Sequence, residues 1–108
     1  MEFSIIAQDV DGARMLRLSG ELDLAARDRL SEMAAAAIES SGAVTIDLAD
    51  LSFIDSTGIG ALVRARHLAE QKRIPYAVVG ATGRVADVLA LTGVADYLAA
   101  STNRYAAE

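Results

Sequence analysis

Between Asp50 and Gly60 the chain reads DLSFIDSTGIG, two acids, three hydroxyls and two glycines set where the pattern predicts the end of a strand and the start of a helix. Four chemistries use such residues: a serine nucleophile, a glycine-built phosphate cradle, the capping of a helix, and a hydroxyl that is itself modified. A nucleophile needs a base within hydrogen-bond reach. The only histidine is His67; on one helix, positions 56 and 67 stand roughly 16 Å apart at ~1.5 Å per residue. Ile54-Asp55-Ser56-Thr57-Gly58 also lacks the glycine two residues before the serine that a nucleophile elbow requires. On a helical projection His67 falls among Arg64, Glu70 and Gln71, opposite Ile59, Leu62, Ala65 and Ala69, and is expected at the surface.

Gly58-Ile59-Gly60 has no third glycine, and no Gly-Lys-Ser/Thr follows any glycine, so neither common phosphate-binding motif is present. Gly80-Ala81-Thr82-Gly83 follows Val78-Val79 and opens a helix, but only 25 residues follow Gly83. A dinucleotide-binding unit needs several further strands. This stretch reads instead as a strand-to-helix turn, with glycine supplying a positive φ and Thr82 a cap. Asp23, Asp47, Asp50 and Asp55 could gather at strand ends as acid and base. Each also has a plain structural role: Asp23 caps a helix, Asp50 belongs to a loop, and Asp55 sits where a helix N-terminus favours negative charge. No histidine or Glu-x-x-His spacing suggests a metal. No catalytic residue, metal or cofactor is assigned.

Capping and modification remain for Ser56. The first turn of a helix offers unpaired backbone N–H groups, and Asp55, Ser56 and Thr57 are all residue types that accept from them. One cap suffices, and capping gives no reason for Gly58 and Gly60, each of which weakens a helix by ~1 kcal/mol relative to alanine. Two glycines in a first turn mean that something approaches the backbone closely: the neighbouring strand, or an external protein surface. A phosphate on a hydroxyl there would add a charge of about −1.5 to −2. The helix end tolerates that charge within the domain; an interface docked over it, beside Asp55 and Asp23, does not.

The elements that would position this stretch are legible in outline. Phe3 to Gln8 and Met15 to Ser19 are β-prone runs around Asp9-Val10-Asp11-Gly12, a hairpin signature. After Gly20-Glu21-Leu22-Asp23, the residues Leu30, Met33, Ala34, Ala37 and Ile38 recur at helical spacing, with Asp23 as cap and Gly42 at the close. Ala43 to Leu48 reads as a strand, Ser56 to Lys72 as a helix ended before Pro75, and Tyr76 to Val79 as a strand. A third helix follows Thr82, with Val85, Val88 and Leu89 inward and Gly93 at its end. A short strand near Tyr97 to Ala99 and a frayed tail over 102–108 complete the reading. The order ββαβαβα predicts an α/β fold with a mixed, mostly parallel sheet of four to five strands flanked by helices.

One domain suits 108 residues, 53 % of them hydrophobic. A net charge of −5 argues against nucleic acid and anionic membrane surfaces as partners. With no cysteine there is neither a disulfide nor a thiolate metal site. No apolar run approaches the ~20 residues of a membrane span, and the N-terminal residues do not read as a secretion signal. A cytoplasmic protein without membrane insertion is expected.

Three segments together resemble the STAS domains, and among them the bacterial anti-sigma factor antagonists: GELD at Gly20 to Asp23, DLSFIDSTGIG at Asp50 to Gly60, and RVADVLALTGV at Arg84 to Val94. The middle segment is the specific one. The resemblance covers nearly the whole chain and implies a single domain over 1–108 that acts as a switch without chemistry of its own. Unphosphorylated, such a protein binds an anti-sigma factor that is also a serine kinase, with ATP held by the kinase, and so releases a sigma factor. Phosphorylation of the serine after the motif aspartate, here Ser56, breaks the complex, and a PP2C-type phosphatase restores it. Thr57 is a secondary acceptor. The resemblance also implies a partner-facing surface of Glu21, Asp23, Asp55, Ser56, Thr57, Gly58, Ile59 and Gly60. The alternative it leaves is a STAS subunit that is not phosphorylated and docks on a lipid-transport or stress-signalling complex.

Overall fold

A computed structural model describes residues 2–99. Asp11 and Gly12, with φ of 53° and 83°, make the tight turn of an antiparallel hairpin between β1 (Ser4–Val10) and β2 (Ala13–Leu22). Helix α1 (Leu24–Ser40) returns the chain to β3 (Ala43–Ile54), parallel to β2. Helix α2 (Ser56–Lys72) does the same for β4 (Tyr76–Val79), parallel to β3. The sheet therefore has four strands in the order β1-β2-β3-β4. Two successive crossovers of the same hand put α1 and α2 side by side on one face. Two short helices, α3 (Gly83–Leu91) and α4 (Ala95–Ala99), follow.

The core is the helix-facing side of the sheet. Leu16, Ile46 and Val78 form one cross-strand row, with Leu18 and Leu48 beyond it, all buried beneath Leu30 and Ile38 of α1 and Leu62 of α2. Alanines at 34, 37, 61, 65 and 69 are also buried and allow the two helices to lie close to each other and to the sheet. On the opposite side the row Ile6, Arg17, Asp47 and Val79 carries an ion pair between Arg17 and Asp47 at 3.3 Å. Ile6 and Val79 are exposed there.

Several expectations need correction. Asp50 is not in a loop: β3 runs on to Ile54, and Asp50 pairs with Ser19. The register shifts between Arg17 and Ser19 and again between Gly20 and Glu21, so the inward residues Leu48, Leu51 and Ile54 are spaced by three instead of two. That spacing hides a strand from a period-2 reading. Met33 is exposed, because the buried face of α1 is completed by Ala26, Leu30, Ala34, Ala37 and Ile38. Ser41, not Gly42, is the C-cap of α1. Thr82 occupies the N-cap position of α3 but its side chain makes no capping bond; its carbonyl accepts from Ala86 N at 3.2 Å instead.

The strand expected at Tyr97 to Ala99 is helix α4. Leu98 N donates to Val94 O at 2.9 Å, and Leu98 is buried. Tyr97 lies over the buried Arg66 guanidinium at 4.4 Å, with Glu70 3.7 Å from Arg66 Nε, so a β-prone tyrosine is drawn into a helix by tertiary contact. The tail expected to fray over 102–108 lies outside the described residues.

Candidate functional site

Two parallel strands end together at this site. Leu22 of β2 is in register with Ile54 of β3, and the next residues, Asp23 and Asp55, are the N-caps of α1 and α2. Neighbouring strands lie about 4.8 Å apart, so the two helix N-termini and their aspartates are close neighbours. Asp55 N donates to Leu22 O at 3.3 Å and joins the two strand ends directly. Gly20, at φ 86°, is buried in the bulge that brings Glu21 and Leu22 into this position, and a side chain there would collide with the Glu2 carbonyl.

Asp55 does the capping of α2 alone. Its Oδ1 accepts from Thr57 N at 3.0 Å, Gly58 N at 3.1 Å and the Thr57 hydroxyl at 2.6 Å. The Thr57 hydroxyl bond, together with the two backbone bonds, holds the Asp55 carboxyl below its ordinary range against a smaller desolvation effect. Ser56 is left with an exposed side chain that makes no hydrogen bond to the described residues. The hydroxyl of Thr57, half-buried and held by Asp55, is far less available.

The two glycines prove to have different neighbours. Gly58 is buried, and a Cβ on it would meet Leu22 O at 2.7 Å and Leu22 Cγ at 2.8 Å. It lets α2 begin directly against β2, so the surface that approaches it belongs to the domain itself. Gly60 is half-buried, and a Cβ there would meet only Arg64 Nη1, at 3.2 Å. Ile59 between them is half-buried and packs against the core.

Glu21 and Ser56 are exposed, while Asp23, Asp55 and Thr57 are half-buried. Two apolar side chains that sequence reasoning passed over accompany them: Leu24, 60 % exposed at the first position of α1, and Phe53, 37 % exposed beside Glu21 in the register. An exposed leucine directly after a helix cap was the available signal. His67 is exposed, packs edge-on to Tyr97 at 6.2 Å, and stands three turns along α2 from Ser56. Among the described residues no group of three or more acidic or histidine side chains could hold a metal ion, and no helix is long and apolar enough to cross a membrane.

The family model for the STAS domain matches residues 4–107 of this chain. A search of curated proteins returned no match. Among solved structures, an anti-sigma factor antagonist from Mycobacterium paratuberculosis superposes with a TM-score of 0.79 at 23 % identity, covering 98 % of this chain and 92 % of that one. The anti-sigma factor antagonist SpoIIAA in its unphosphorylated form gives 0.76 at 21 % identity, covering 96 % and 93 %. The Bacillus cell fate determinant SpoIIAA in its phosphorylated form gives 0.69 at 20 % identity, covering 98 % and 96 %. These structural likenesses establish the fold, and the family match does more: the chain belongs to the STAS domain family.

Proposed function

We propose that this STAS domain is an anti-sigma factor antagonist whose binding surface is switched off by a phosphate on Ser56. The observation that carries the reading is that Ser56 stands at the first position of a helix whose capping is already complete. Its hydroxyl is exposed and has no structural task among the described residues. That SpoIIAA, a protein of the same fold, is described in unphosphorylated and phosphorylated forms supports it further.

In the unmodified state the partner, an anti-sigma factor with serine kinase activity, docks over the two helix starts. Leu24 and Phe53 offer apolar area, and Glu21, Asp23 and Asp55 give the surface a negative rim suited to a basic partner. The kinase transfers the γ-phosphoryl group of its ATP to Ser56 Oγ; a P–O bond to the serine forms, ADP leaves and the hydroxyl proton is lost. The phosphate carries about −1.5 to −2 charge. Within the domain the positive end of α2 accommodates it. In the interface it would be desolvated beside Asp55 and Asp23, so the fold survives and the complex separates. A PP2C-type phosphatase hydrolyses the ester and returns the surface to its binding state.

Incubation with ATP and candidate anti-sigma kinases, followed by mass-spectrometric mapping, tests the assignment. Phosphate is expected on Ser56 and on no other residue at comparable rate. A Ser56→Ala variant phosphorylated as fast as the parent would place the site elsewhere, with Thr57 the first residue to check.

A further inference from the structure

We propose that Arg64 is an internal receptor for the phosphate on Ser56, reached across the bare backbone of Gly60; the inference rests on the phosphorylation of Ser56 proposed above. Residues 56, 60 and 64 follow one another at four-residue steps along α2. Long side chains on a helix lean towards its N-terminus, and Arg64 does so: its Nη1 is 3.2 Å from where a Cβ of Gly60 would stand. The guanidinium thus lies over the turn between its own position and Ser56. Ser56 and Arg64 stand roughly 12 Å apart along the axis at ~1.5 Å per residue; the arginine covers the part back to Gly60, and the phosphoserine has to span the remaining four-residue step, about 5–6 Å between Cβ atoms.

Arg64 is free for this role. It is exposed and has no hydrogen bond or ion pair with the described residues. The acidic group nearest in sequence to Ser56, Asp55, is occupied with the helix N-terminus. On the neighbouring helix Arg27 is already paired with Asp28 at 3.2 Å. A guanidinium offers two parallel N–H donors that match phosphate oxygens. The absence of a Cβ at Gly60 lets the end of the Arg64 side chain lie close over the helix backbone there; an alanine would require it to give by only a few tenths of an ångström. The phosphate then changes the docking surface twice, by adding an anion at Ser56 and by drawing in the Arg64 cation.

The test uses the full chain with phosphoserine installed at position 56 during translation, so it does not depend on the kinase. Phosphorus NMR titration reads the second ionisation of the phosphoserine, which a nearby guanidinium favours. Arg64→Gln is expected to raise that pKa by about half a unit, within the range of exposed charge pairs. Arg64→Lys, which keeps a cation at that position, is expected to restore most of the parent value. Equal titration of the parent and Arg64→Gln would overturn the pairing. Failure of the kinase to modify Ser56 would instead count against the proposed function and leave these titrations to stand.

Discussion

The starts of α1 and α2 are built to the same plan and furnished differently. Each follows the end of a parallel strand, and each is capped by an aspartate, Asp23 or Asp55. After the cap α1 continues Leu24-Ala25-Ala26-Arg27-Asp28, with alanines that favour helix, whereas α2 continues Ser56-Thr57-Gly58-Ile59-Gly60. Asp23 accepts one backbone bond from Ala26 at 3.2 Å; Asp55 accepts two backbone bonds and a hydroxyl. The first helix shows what the fold requires at this junction. What the second has beyond that is either close packing, at Gly58, or a surface feature, at Ser56 and Gly60.

The largest expected difference between the two starts lies three residues past each cap. Gly58→Ala forces a methyl group into Leu22 O and Cγ at under 3 Å, and should cost about 1–3 kcal/mol, lowering the melting temperature by about 4–8 °C for each kcal/mol. The equivalent residue of α1 is already an alanine, Ala26, buried without conflict. Melting curves that leave Gly58→Ala as stable as the parent would remove the packing reason for that glycine.

Removing the caps separates the starts by less. Asp55→Ala should destabilise by about 1–2 kcal/mol and Asp23→Ala by about 0.5–1 kcal/mol, in proportion to the bonds each aspartate accepts. Urea denaturation reads both, and equal losses would mean that the additional bonds at Asp55 add nothing.

A pH series sharpens the same point. The folded pKa of Asp55 is depressed, foremost by the Thr57 hydroxyl, so its contribution is complete above the unfolded carboxylate value of ~3.9 and is lost as the pH falls through the folded value. The stability gap between the parent and Asp55→Asn should be steady near neutrality and close below about pH 4. A gap as large at pH 2 as at pH 7 would contradict the charge-assisted cap.

The smallest stability effect is expected at Ser56. Ser56→Ala, like Leu24→Ala at the matching position of α1, should alter stability by no more than about 0.5 kcal/mol. A loss near 1 kcal/mol in the serine variant would mean that Ser56 shares the capping.

Much of this was legible in the residues because the helices and their caps are local events. Ser56 to Lys72 and Tyr76 to Val79 can be read from spacing and from Pro75 with the observed bounds, and Asp23 caps α1 as its residue type suggests. What escaped depends on contacts distant in the chain. The run of β3 past Leu48 is set by register with β2, and the helical state of Tyr97 is set by Arg66 of α2. The candidate site divides the same way. Asp55 and Ser56 stand out from their types and order, while the different neighbours of Gly58 and Gly60, Leu22 and Arg64, appear only once the strands and helices are assembled.

The central claim is that Ser56 carries a binding switch the fold does not need. The most direct measurement compares the unmodified chain with the chain carrying phosphoserine at position 56, in calorimetric titrations against the proposed anti-sigma kinase, alongside melting curves of both. The account predicts binding weakened by about 100-fold or more, equivalent to about 2.8 kcal/mol, with melting temperatures within about 4 °C, as expected for a stability change below 1 kcal/mol. Equal affinity of the two forms, or a loss of affinity matched by an equal loss of stability, would contradict it.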